Sequence, residues 1–248
     1  MSYSLAATAM AGSIYVGVSG FSYPSWRGRF YPNDLDEDGF LPHYSQNLGS
    51  VEINSSFYAF PRESTVENWA EKTGNRFKFS FKAPRQITHI LKLGRGAPEA
   101  ANELSKTLGL LKSKQGAVLF QLPPFLRQNL NLVEGFLAGT SSVRTRVFEF
   151  RHESWFHSDT YRILEKAGAG LCIADTEAMN PVFKVTGGMA YFRLRKESYD
   201  AKTISEWASK IRETSRGLSE TFAYLRHDET GENAILAQLL SKKLTVNA

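Results

Sequence analysis

The sequence predicts an α/β fold, a single (β/α)8 TIM barrel. Three observations lead there: eight short apolar or alternating runs, helical patterns between most of them, and a strand-to-strand spacing of roughly 30 residues that fills the chain with no linker and no sequence repeat. The length of 248 residues suits one domain of this kind.

Taken in order, the first strand is expected over 14–20, where Ile, Val and Tyr alternate with small residues. The second, 50–58, is followed by Ser64-Thr65-Val66-Glu67, which reads as a capping box opening a helix through Trp69. Strand three, 77–84, precedes a helix with Pro98 in its first turn that runs to Leu111. Strands four (117–123), five (146–152) and six (170–175) alternate with helices over 129–137 and 158–167. The segment 176–188 holds Asn180-Pro181 and Gly187-Gly188, so the sixth unit is expected to be irregular, a loop with little or no helix. Strand seven (189–195), a helix over 204–216, strand eight (221–227) and a helix over 232–240 complete the count. An open doubly wound sheet competes, but the turn at 17–22 lacks the full dinucleotide fingerprint. Residues 1–13 are expected to be a flexible leader and 14–248 a single barrel domain.

Composition narrows the classes further. Cys172 is the only cysteine, so neither an internal disulfide nor a thiolate zinc site is available, and a reducing cytoplasmic setting is the simplest expectation. The first dozen residues lack Lys and Arg, and their apolar stretch is short for a secretory signal. No run of about 18 apolar residues occurs, which argues against a membrane partner. The formal charge of +5 permits an anionic partner without requiring one.

In such a barrel, chemistry gathers at the C-terminal strand ends. Period-two alternation places Glu52 and Asn54 opposite Val51 and Ile53, Glu149 and Arg151 opposite Phe148 and Phe150, and Arg193 and Arg195 opposite Phe192 and Leu194. The apolar sets must face the outer helices, so the polar sets face the barrel interior. Lys82, Gln121, Asp175, Arg226 and His227 also stand at strand ends. Glu52, Glu149 and Asp175 are therefore the candidate catalytic acids and bases. Asn54, Tyr58, Lys82, Gln121, Arg151, Arg193 and His227 are the candidate substrate-binding groups, the cations holding a phosphate or carboxylate. The same charges could instead pair with one another and close the barrel top. Aromatic residues at the same end, among them Phe21, Tyr23, Trp26, Phe57, Tyr58, Trp155 and Phe156, stand among basic residues and suit either loop packing or base stacking. No paired-histidine metal motif and no Gly-x-Ser-x-Gly elbow is present, and no cofactor is implied.

These strand ends resemble the YecE-like family, domain of unknown function 72. The resemblance is carried by GVSGFSY at 17–23, WRGRFYP at 26–32, VEINSSFY at 51–58, KAPRQITH at 82–89, GAVLFQLPPF at 116–125, EFRHESWF at 149–156 and ADT at 174–176. It implies a TIM barrel and no particular reaction. Residues Phe21, Arg195-Lys196 and Arg226-His227-Asp228-Glu229 depart from the family's usual Trp, His-Gly and paired asparagines. The leading expectation is an enzyme, a hydrolase or isomerase, acting on a small anionic or phosphate-bearing ligand such as a nucleotide, sugar phosphate or nucleic-acid fragment. The alternatives are a non-catalytic nucleic-acid-binding protein and a metal-dependent phosphodiester hydrolase. Oligomeric state is not legible.

Overall fold

The computed structural model describes residues 12–245. All but the last two positions of the expected leader thus lie outside the described residues, and Ser13 already opens the first strand. Eight parallel strands form the barrel: β1 (Ser13–Val18), β2 (Ser50–Ile53), β3 (Lys78–Lys82), β4 (Gln115–Gln121), β5 (Arg146–Glu149), β6 (Gly170–Asp175), β7 (Met189–Leu194) and β8 (Glu220–Leu225). The ladder runs β1-β8-β7-β6-β5-β4-β3-β2. Helices α1 (Phe40–Asn47), α2 (Glu63–Glu71), α3 (Ala97–Leu108), α4 (Leu130–Gly139), α5 (Ser158–Lys166), α6 (Ala201–Thr214) and α7 (Glu232–Thr245) alternate with the strands. Only β6 and β7 are joined without one, through the Asn-Pro and Gly-Gly segment. No helix among the described residues is long and apolar enough to cross a membrane.

Strand parity divides the core in two. Outward residues such as Val51, Phe79, Phe120, Phe148, Phe192 and Leu225 pack under the helices in one large cluster. Inward residues Leu119, Val147, Cys172, Tyr191, Phe222 and Tyr224 fill the barrel itself. Helix α6 shows why the outer layer forms: Ile204, Trp207, Ala208 and Ile211 fall on one face, and the Asp200 side chain caps its start by accepting the Thr203 amide at 2.7 Å. Burying each large apolar side chain contributes on the order of 1.5–3 kcal/mol.

The β1–β2 seam closes by different means. Only Ser19 and Glu52 pair there as a bridge, with the Gly20 amide donating to the Glu52 carbonyl at 2.9 Å. Below them the Tyr44 hydroxyl enters from α1, accepting from the Val18 amide at 2.8 Å and donating to the Ser50 carbonyl at 3.0 Å. A Cβ on Gly17 would lie 1.8 Å from that carbonyl oxygen, so only glycine allows the two strands to approach.

Several expectations need correcting. Helix α2 begins at Glu63 behind Arg62, so Ser64 is not its cap and the expected capping box does not form. Helix α1, with Pro42 in its first turn and no charged residue, carries no clear sequence signal yet forms because Phe40, Leu41 and Tyr44 bury completely. Strand β2 stops at Ile53 rather than running to Tyr58, since the polar Asn54-Ser55-Ser56 breaks the alternation and Ser55–Phe57 curls into a 3-10 turn.

Candidate active site at the barrel mouth

The inward parity of β2, β5 and β7 does bring Glu52, Glu149 and Arg193 together, all of them buried. Arg193 grips Glu52 with two parallel hydrogen bonds, Nε to Oε2 at 3.0 Å and Nη2 to Oε1 at 2.9 Å. Its remaining Nη1 reaches Glu149 Oε2 at 2.5 Å. Glu52 also accepts from Ser19 Oγ at 2.9 Å, from the Tyr191 hydroxyl at 2.7 Å and from Arg195 Nη2. Gln121 fixes the other Glu149 oxygen, donating from Nε2 at 2.8 Å. Two carboxylates and two guanidiniums are thus mutually neutralised with nearly every lone pair engaged, the condition under which buried charge is tolerated.

Burial alone would raise the Glu52 carboxyl. The charges of Arg193 and Arg195, with the hydrogen bonds from Arg193 and Tyr191, outweigh it and hold Glu52 well below the usual carboxylate range. Glu149 follows the same pattern: burial pushes up, while Arg193, Arg195 and Gln121 pull it below its ordinary value. Both therefore stay ionised at neutral pH. Sequence parity pointed to Arg195 as an inward residue, but Tyr191 and Ser19 were missed as members of the network; the signal for Tyr191 is its i, i+2 spacing from Arg193.

Lys82, at the end of β3, is the odd charge. It is half-buried, its Nζ stands 3.9 Å from the centroid of the Phe57 ring, and among the described residues no carboxylate lies within ion-pair distance of it. Burial is the main cause, reinforced by Arg193, that lowers its amine from the usual lysine value to about 8.

The other expected residues disperse around this centre. Asp175 shares the outward parity of Leu171 and Ile173, so it leaves the network and instead accepts from the Tyr199 hydroxyl at 2.9 Å and pairs with Lys196 at 3.2 Å. Asn54 follows the end of β2 with φ −93° and ψ −19°, no longer in register with Glu52, and lines a separate cleft with Phe21 and Trp69. Tyr58 is exposed on the rim. His227 is exposed and stacks on Tyr23 with centroids 5.0 Å apart. Arg151 is exposed and lines, with Glu149, a hollow of ≈ 70 Å³. That hollow exists because β6 turns only the small Cys172 and Ala174 inward there. Trp26 and Trp155 are fully buried packing residues. Among the described residues no three His, Cys, Asp or Glu side chains converge as a metal site requires.

Comparison with known proteins supplies relatives. The family model described as "Protein of unknown function DUF72" matches residues 15–248. UPF0759 protein YecE of Escherichia coli (strain K12) is 30% identical over 144 residues, 58% of this chain and 50% of that protein. UPF0759 protein YunF of Bacillus subtilis (strain 168) is 28% identical over 156 residues, 60% of this chain and 54% of that protein. The chain's match spans about half the length of these curated relatives. A crystal structure of a DUF72 family protein from Thermotoga maritima superposes with a TM-score of 0.76 at 26% identity, covering 93% of this chain and 98% of that one. D-Psicose 3-epimerase from Clostridium cellulolyticum H10, at TM-score 0.53 and 8% identity over 94% and 96% of the two chains, is alike in fold alone.

Proposed function

The chain belongs to the DUF72 family of TIM-barrel proteins, and from that premise we propose that its barrel mouth is the active site of an enzyme using acid/base chemistry on a phosphate-bearing ligand, a nucleotide, sugar phosphate or nucleic-acid fragment. One observation carries the proposal: Lys82 keeps a desolvated positive charge with no carboxylate partner beside a network that is otherwise neutral. Leaving a cation so placed is costly unless an anion arrives to meet it. A phosphate group held by Lys82, with Arg151 as the second cation on the same side of the mouth, would supply that anion; both cations stand close enough to His89 to lower its pKa.

The division of labour follows from the charges. Lys82, with an amine near 8, exchanges protons close to neutrality and is the group suited to donate to a leaving oxygen or accept from a substrate. Glu52 and Glu149, held ionised, keep Arg193 and Arg195 in place and give the mouth a fixed field. Gln121 orients Glu149. Hydrolysis and isomerisation both fit this set.

The test is binding of inorganic phosphate and of nucleoside monophosphates, read by thermal shift and calorimetry. Wild type is expected to bind below pH 8 and to weaken as pH rises through about 8, where Lys82 loses its proton. Lys82→Met should bind at least tenfold more weakly, roughly the worth of one charge-assisted contact. Equal affinity in Lys82→Met, or affinity that persists unchanged to pH 9.5, would remove Lys82 from the site and the proposal with it.

A further inference from the structure

The connections that follow the strands divide the mouth into two electrostatic halves. Those after β2, β3, β4 and β5 carry Arg62, Arg85, Lys92, Arg95, Arg127 and Arg151 against a single carboxylate, Glu153. The other half, formed by the connections after β6, β7, β8 and β1, is acidic, and the connection after β1, which adjoins that after β2, alone holds Asp34, Asp36, Glu37 and Asp38 against Arg27 and Arg29. The chain's excess of positive charge is thus gathered on one half of one face rather than spread over the surface. All six cations of the basic half are exposed.

The same half presents unpartnered apolar surface. Tyr58 is 85% exposed, Phe125 66% and Ile90 62%, and each sits on one of these basic connections. They are not isolated. Phe57 bridges the β2 and β3 connections, meeting Tyr58 edge-on at 5.3 Å and His89 at 5.0 Å. Lys92 then reaches from the β3 connection to within 5.3 Å of the Phe125 ring centroid on the β4 connection. The rings of Tyr58, Phe57 and His89 and the Lys92–Phe125 pair thereby span three successive connections.

We propose that this basic half of the rim is a docking surface for single-stranded nucleic acid, with bases stacking on Tyr58 and Phe125 and the phosphates following the arginine and lysine residues between them. Three features select that partner. A polyanion matches the charge, and the acidic half opposite confines it to one side of the mouth. Flat exposed rings separated by cations suit a chain whose repeating unit is a π face plus a phosphate, whereas an acidic peptide supplies only the charge. A duplex hides its base faces, so stacking requires a single strand. The surface lies outside the Glu52–Arg193–Glu149 network and does not depend on the role given to Lys82.

Anisotropy of fluorescein-labelled twenty-residue oligothymidylate and oligouridylate provides the test. Affinity is expected to fall with salt, log K against log salt having a slope of about −3 to −4 if five or so cations meet phosphates. Tyr58→Ala and Phe125→Ala should each weaken binding by about five- to hundredfold, while Tyr58→Trp and Phe125→Tyr retain it, since stacking tolerates any ring. Both positions are exposed, so folding is not at stake, and unchanged melting temperatures verify that. Polyglutamate and phosphatidylserine vesicles probe the other polyanions. Displacement of the oligonucleotide by polyglutamate at equal charge, binding to vesicles but not to oligonucleotide, or indifference to loss of both rings would overturn the proposal. Phosphate binding by Lys82→Met is measured separately, so the mouth and the rim can fail independently.

Discussion

Replacing Glu52 by Gln leaves Arg193 and Arg195 side by side under the barrel mouth with only Glu149 to answer them. Removing one partner of a fully buried ion network typically costs about 3–5 kcal/mol, because the surviving charge stays desolvated. Glu52→Gln is therefore expected to lower the unfolding free energy by that amount, read as a drop in the urea midpoint equal to that loss divided by an unchanged slope. A loss below about 1 kcal/mol would mean that water reaches the network. Asp175 marks the limit of sequence reasoning at this scale. The alternation that correctly turned Glu52, Glu149 and Arg193 inward places Asp175 with Leu171 and Ile173 on the outer face, so its separation from the network was present in the sequence. Its partner Tyr199 was not, because that contact depends on where the β7–α6 connection folds back. Pairing among the mouth charges was expected, but spacing does not reveal that it leaves Lys82 alone; that is a matter of side-chain reach across the barrel.

Among the elements, the β1–β2 seam depends on a side chain from α1. Tyr44 supplies the donor and acceptor that a regular ladder would have supplied at Val18 and Ser50. Tyr44→Phe strands both backbone groups in a buried site, and a cost of about 1–3 kcal/mol follows, with amide exchange at Val18 accelerating before that of the other strands. Gly17→Ala drives a methyl group into the Ser50 carbonyl and is expected to be worse than Tyr44→Phe. If Val18 exchange were unaltered in Tyr44→Phe, the seam would have to be held elsewhere. The eight strands themselves were legible because each had to be apolar on its outer face, whatever its inner face carried. Helix α1 was not, for it is short, contains Pro42 and is stabilised by the burial of Phe40, Leu41 and Tyr44 rather than by any cap or charge pattern.

For the molecule as a whole, folding and the proposed ligand binding make opposite demands on Lys82. Its amine titrates near 8 in the folded protein against about 10.4 in an unfolded chain, so the folded state holds the charged form less well. Below pH 8 both states are protonated and the full penalty of burying the charge is present, about 2–3 kcal/mol after allowance for its contact with solvent. Between pH 8 and about 10.5 the folded protein is neutral at this site while the unfolded chain still binds the proton, so the penalty fades as pH rises. Lys82→Met, whose thioether can rest on the Phe57 ring, is expected to be more stable than wild type by that margin at pH 7, with the advantage shrinking steadily above pH 8. Taking the difference between the two proteins matters, because Cys172 and Tyr44, Tyr191 and Tyr224 have raised pKa values through burial and pull wild-type stability down in alkali in both. A variant no more stable at pH 7, or an advantage independent of pH up to 10, would show that Lys82 is not a desolvated charge. A more stable fold that no longer binds phosphate is the outcome expected of a lysine retained for its ligand at the expense of stability.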